Sequence, residues 1–127
     1  MTKHISEDLL ERAVKLHGHL GPFLVLGLRA GLEGEEKLGE KPEVCIIQTV
    51  NRKPYLCAVD GIKAIFGNTL LEIRDGPGLT VTFKGNNREI IVKVKQGLVE
   101  KYAEASWEKC EEYAREVLVS DGDQLFE

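Results

Sequence analysis

The stretch TLLEIRDGPGLTVTFKGNNREIIVKVK, residues 69–95, carries the fold. Its centre, LTVTFKG, puts Leu79, Val81 and Phe83 on one side and Thr80, Thr82 and Lys84 on the other. An alternation with period two describes a half-buried strand. TLLEIR before it and EIIVKVK after it are strand-like as well, and DGPG and GNN between them are turn sequences of the kind that join antiparallel strands.

Upstream, EVCIIQTVN is rich in β-branched residues and predicts a buried strand over residues 43 to about 51. A first helix follows Ser6 as N-cap and runs to about residue 17, with Leu9, Leu10, Ala13, Val14, Leu16 and His17 at helical spacings. A second starts at Pro22, a residue suited to the first helical position, and stops before Gly39. Gly27, Ala30, Gly31 and Gly34 lower its intrinsic propensity and predict close approach of another backbone, within the chain or across a homodimer. In RKPYLCAVDGIKAIFGN, Pro54 and Gly67 bracket a short third helix with Leu56, Val59, Ile62 and Ile65 or Phe66 on its apolar face. Downstream, Val99, Tyr102, Ala103, Ser106, Cys110, Tyr113 and Val117 predict one long helix over residues 97 to about 119. The order α-α-β-α-β-β-β-α predicts an α+β fold, a mainly antiparallel sheet with helices packed on one face.

A chain of 127 residues without repeats or linkers reads as one domain, residues 1–127, able to bury a core without disulfides. A net charge of -4 with interleaved signs argues against nucleic acid and against a polybasic membrane surface. MTKHISEDLLERA has no apolar core segment, and no run approaches the length of a membrane span. Cys45, Cys57 and Cys110 are an odd number with no CxxC pair, which predicts free thiols and a cytoplasmic protein.

The chemistry gathers around LHGHLGPF, residues 16–23. Gly18 frees the backbone after His17, and Pro22 drives Gly21 out of the right-handed helical region, so His17 and His19 sit on a built corner. Cys57, about a turn into the third helix, is placed where the helix dipole favours thiolate, and Asp60 shares its face. His17, His19, Cys57 and Asp60 are therefore candidate ligands for a divalent transition metal, zinc above all. Spacing equally allows a metal-free enzyme with Cys57 as nucleophile, a histidine base and Asp60 orienting it, or an ordinary thiol beside histidines that cap a helix break. Cys45 and Cys110 read as core residues. Arg29 suits either a helix-face salt bridge or a small anionic ligand.

The segment HGHLGPFLVLGLRAG, residues 17–31, resembles the His-Gly-His-x-Cys-Pro-Gly-x-x-x-Gly-x-Arg-x-Gly signature of the formylmethanofuran dehydrogenase E-subunit family. CAVDGIKAIFGNTLLEIRD, residues 57–75, is similar to its second signature, Cys-x-x-Asp-(Gly/Ala)-Ile-Gln followed by Thr-Gly-Cys-Thr. His17, His19, Gly27, Arg29, Gly31, Cys57, Asp60, Gly61 and Ile62 match. Gly21 replaces one signature cysteine, Phe23 a glycine, and Asn68 stands where the second signature has cysteine. Many members also carry a C-terminal zinc-binding extension, and SDGDQLFE shows none. The resemblance implies an accessory protein of archaeal type in one-carbon metabolism, a homodimer associated with a molybdenum or tungsten enzyme system, with any core metal held by fewer thiols; the loss of two signature cysteines equally fits a degenerate relative kept as a ligand-binding or partner-binding module.

Overall fold

The computed structural model describes residues 5–67 and 69–127. Helix α1 spans Glu7–His17. The Ser6 hydroxyl accepts from the Leu9 N–H at 3.1 Å, and Gly18, left-handed at φ 110°, sends its N–H back to the Val14 carbonyl. That C-cap ends the helix at His17, as the Gly-Pro corner requires. Helix α2, Pro22–Leu38, starts on Pro22 and ends on a left-handed Gly39.

Strand β1 (Val44–Thr49) leads into α3 (Cys57–Phe66), then β2 (Leu70–Asp75), β3 (Leu79–Lys84) and β4 (Glu89–Lys93). The sheet order is β2-β1-β3-β4. β3 pairs antiparallel with β1 and with β4, so the sheet is mainly antiparallel, as expected. The β1–β2 pair is parallel, in register from Val44 with Leu70 to Thr49 with Asp75. The connection between them is α3, the crossover that a parallel pair needs. Leu79, Val81 and Phe83 are buried, together with Cys45 and Ile47 of β1 and Val92 of β4, on the face where α2 packs over β3 and β4. Leu70 and Ile91 stand on the opposite, exposed face.

The single long C-terminal helix is not formed. The chain breaks it into α4 (Gln96–Ala103), a 3-10 turn (Trp107–Lys109), α5 (Cys110–Val119) and a short α6 (Gly122–Leu125). Apolar spacing runs on across the break, and no glycine or proline marks it between Tyr102 and Cys110. Lys101 and Tyr102 of α4 both reach Glu116 of α5 at 2.6 Å, so the two pieces fold against one another.

The small residues of α2 are used inside the chain. A Cβ at Gly27 would stand 2.9 Å from the Ala58 carbonyl carbon, and one at Gly61 2.7 Å from the Leu28 nitrogen. Two glycines thus let α2 and α3 cross backbone to backbone, while Gly31 faces Ile65 and Gly34 faces the Phe83 ring. The stripe therefore supplies no argument for a homodimer. No helix among the described residues is long and apolar enough to cross a membrane.

Candidate functional site

Because α2 and α3 touch so closely, the corner before α2 and the start of α3 lie side by side. His17, at the last position of α1, faces Asp60 of α3, with Nδ1 and Oδ2 2.8 Å apart. A carboxylate only accepts, so it is His17 Nδ1 that carries the hydrogen of this contact. The His17 side chain is 8% exposed and that of Asp60 31%, so the pair is screened from solvent on the histidine side.

His19 lies beside it, its ring edge-on to His17 with centroids 4.9 Å apart and edge-on to Trp107 at 4.7 Å. Its Nδ1 is buried and has no hydrogen-bond partner among the described residues. Burial holds the His19 pKa below its ordinary value, helped by the neighbouring His17 and Lys53 charges. A neutral imidazole with an unshared buried nitrogen is a ligand donor waiting for a cation or a proton donor.

Cys57 opens α3 rather than sitting a turn inside it, because residues 54–56 form a preceding turn whose carbonyls already take the N–H groups of Cys57, Ala58 and Val59. The expected thiolate bias is reversed. Burial pushes the Cys57 thiol up, Lys53 draws it down, and Asp60 and Cys110 add to the rise. Among the described residues neither imidazole hydrogen-bonds this thiol.

Two cavities share Cys57 and Lys53 as a common wall. One, of about 340 Å³, is bounded by His19, the Gly21–Phe23 corner, Tyr102 and Trp107. The other, of about 260 Å³, is bounded by His17, Asp60 and Ile73. Cys57 thus borders both the cavity of His19 and that of His17 and Asp60, and among the described residues no three such groups converge to hold an ion. His and Cys donors with one carboxylate nevertheless suit a borderline-soft cation, and the orphaned His19 nitrogen is the atom such a cation would satisfy.

Arg29 has a different task. It is buried at 4% exposure, and its guanidinium donates to the Val117 carbonyl at 2.7 Å and the Leu118 carbonyl at 3.2 Å. Desolvation lowers its pKa, against the pull of Glu33 and Asp121. It ties α2 to the carbonyl end of α5 and borders neither cavity, so nothing in its placement serves an anionic ligand. Cys45 is sealed in the core, its thiol pushed up to about 12 by burial. Cys110, expected in the core, instead borders the larger cavity half-buried. Lys53, Trp107 and Cys110 carry no motif, and the helix break that delivers the last two is invisible in the apolar spacing. Asn68 lies outside the described residues.

The sequence model of the family described as FmdE, molybdenum formylmethanofuran dehydrogenase operon, matches residues 16–127. No curated protein matches the chain.

Proposed function

The chain belongs to the FmdE family, tied by its description to the molybdenum formylmethanofuran dehydrogenase operon, and we propose that it serves that enzyme system as a small metal-handling accessory protein. The ion is a divalent transition metal, zinc first, and His17, His19, Cys57 and Asp60 form its surroundings. The observation that carries this reading is the pairing of an oriented imidazole with an unsatisfied one. The Asp60 carboxylate fixes the His17 ring through Nδ1, the arrangement that holds metal-binding histidines in place. The His19 Nδ1 meanwhile is buried without a partner among the described residues. A bound divalent ion supplies the positive charge that keeps a coordinating thiol deprotonated.

The metal-free reading, with Cys57 as nucleophile, is the weaker one. Burial holds that thiol protonated, and no histidine among the described residues is hydrogen-bonded to it as a base. A cation reverses the thiol's preference; a neutral imidazole at a distance does not.

The test is to follow the ring nitrogens of His17 and His19 by NMR while zinc is added to the reduced protein. The expected result is a stoichiometric shift of both rings in the wild type and its loss in Cys57→Ala. Rings that ignore zinc, or shift equally in both proteins, overturn the assignment.

A further inference from the structure

The larger cavity has a charge pattern that the metal reading does not use. Its walls are apolar at Pro22, Phe23, Pro54, Tyr102 and Ala103, and among the described residues no carboxylate borders it. Lys53 does border it, and this exposed lysine has no ion-pair partner among the described residues. In the metal-free protein, burial holds the His19 pKa down and the Cys57 pKa up, so both groups face the cavity uncharged near neutral pH. The Lys53 charge lowers both values, which puts it within electrostatic reach of each. A cation beside an apolar cavity that holds no counter-charge attracts an anion.

The same cavity is bordered by Trp107, the sole tryptophan of the chain, which stays 73% exposed. Its one ring contact among the described residues is edge-on, with His19 at 4.7 Å, so no ring stacks on the indole. Folding leaves this large apolar side chain uncovered beside an apolar hollow, and a planar guest in that hollow would cover it. The Tyr102 hydroxyl is committed to Glu116, and Arg29 is committed to the Val117 and Leu118 carbonyls, which leaves Lys53 as the group to read an anion here.

We propose that this cavity binds a small aromatic monocarboxylate, its ring system against Trp107 and Phe23 and its carboxylate on the Lys53 ammonium. The inference does not rest on the metal-handling reading, because neither Lys53 nor Trp107 belongs to the metal surroundings. A volume of about 340 Å³ stands at the small end of ligand cavities, which suits one or two fused rings and not a nucleotide. One lysine is a point charge, and no arginine fork borders the cavity, so a monoanion is matched better than a phosphate dianion.

The probe is 2-naphthoate, titrated into reduced, chelator-treated protein so that no metal takes part. Calorimetry measures the affinity, and the single indole N–H resonance, that of Trp107, reports where the ligand sits. One site per chain and a saturable indole shift are expected. The neutral 2-naphthamide should bind about 5- to 10-fold more weakly, and Lys53→Met should weaken 2-naphthoate by the same factor while leaving the amide unchanged. Trp107→Ala should weaken both ligands by about 3- to 10-fold. Lys53 and Trp107 are both exposed, and far-UV circular dichroism matching the wild type checks that each variant is folded. The inference is overturned if millimolar 2-naphthoate gives neither heat nor an indole shift, or if it binds without moving the indole. It is equally overturned if the amide binds as well as the acid, if Lys53→Met binds the acid like the wild type, or if 2-naphthyl phosphate binds more tightly than the carboxylate.

Discussion

Gly27→Ala is the sharpest probe of how the site is held. The new Cβ would meet the backbone of Ala58, 2.9 Å from its carbonyl carbon and 3.0 Å from its Cα. Carbon atoms prefer about 3.5 to 4.0 Å, so α3 must retreat by roughly 1 Å. Backbone cannot rotate aside as a side chain can, which places the cost at the upper end of overpacking, about 3 kcal/mol. The better helix propensity of alanine returns about 1 kcal/mol. The net loss is about 2 kcal/mol, or a fall in Tm of about 8 °C for a domain of this size. The same retreat carries Asp60 away from His17, whose 2.8 Å contact does not survive it. Thermal melting followed by far-UV circular dichroism measures the first effect, and the His17 ring resonances measure the second. Gly97→Ala is the control, because nothing lies within 4 Å of a Cβ there. A Gly27→Ala protein that melts higher than the wild type refutes the close α2–α3 crossing and, with it, the placement of Cys57 and Asp60 by that crossing.

Other expectations follow from the same contacts. Arg29→Met keeps the buried stem but leaves the Val117 and Leu118 carbonyls without their donor, and urea unfolding should show a loss of about 2 to 3 kcal/mol. Arg29→Lys should recover only part, since an ammonium lacks the guanidinium fork. Glu116 is held below the ordinary carboxylate pKa by hydrogen bonds from Lys101 and Tyr102. Its contribution is present above the unfolded-state value near 4.5 and is lost as pH falls through the lowered folded value. Glu116→Gln should therefore be less stable than the wild type at pH 7 and lose less on acidification, as read from urea midpoints at a series of pH values. Zinc affinity should fall as pH drops through the histidine range, because protons compete for the ring nitrogens and the thiol; an affinity independent of pH would exclude these ligands.

The sheet is legible in the sequence where one face is buried and the other is not. Leu79, Val81 and Phe83 alternate with polar residues, and that strand takes part in both antiparallel pairings. The parallel partnership of β1 and β2 is harder to read, because continuous apolar residues such as Cys45, Ile46 and Ile47 do not say which neighbour they meet. The two histidines are legible as a corner because Gly18 and Pro22 have local conformational meaning. Cys110 is not. Its spacing from Tyr102, Tyr113 and Val117 fits an unbroken helix, and only the fold of α4 back against α5 brings it to the cavity. The small residues of α2 signal a close approach, and their partner is α3 of the same chain. The helix-dipole argument at Cys57 fails for a physical reason. The residues ahead of α3 consume its first N–H groups, and burial then outweighs what remains of the dipole.

Whether His17, His19, Cys57 and Asp60 surround a metal ion is tested most directly by elemental analysis. The protein is purified without an affinity tag and measured before and after incubation with zinc and removal of the excess. About one tightly held divalent ion per chain is expected in the wild type, and none in Cys57→Ala of matching circular dichroism. A folded wild-type protein that retains no metal in either state, or a Cys57→Ala protein that retains as much, would contradict the metal site.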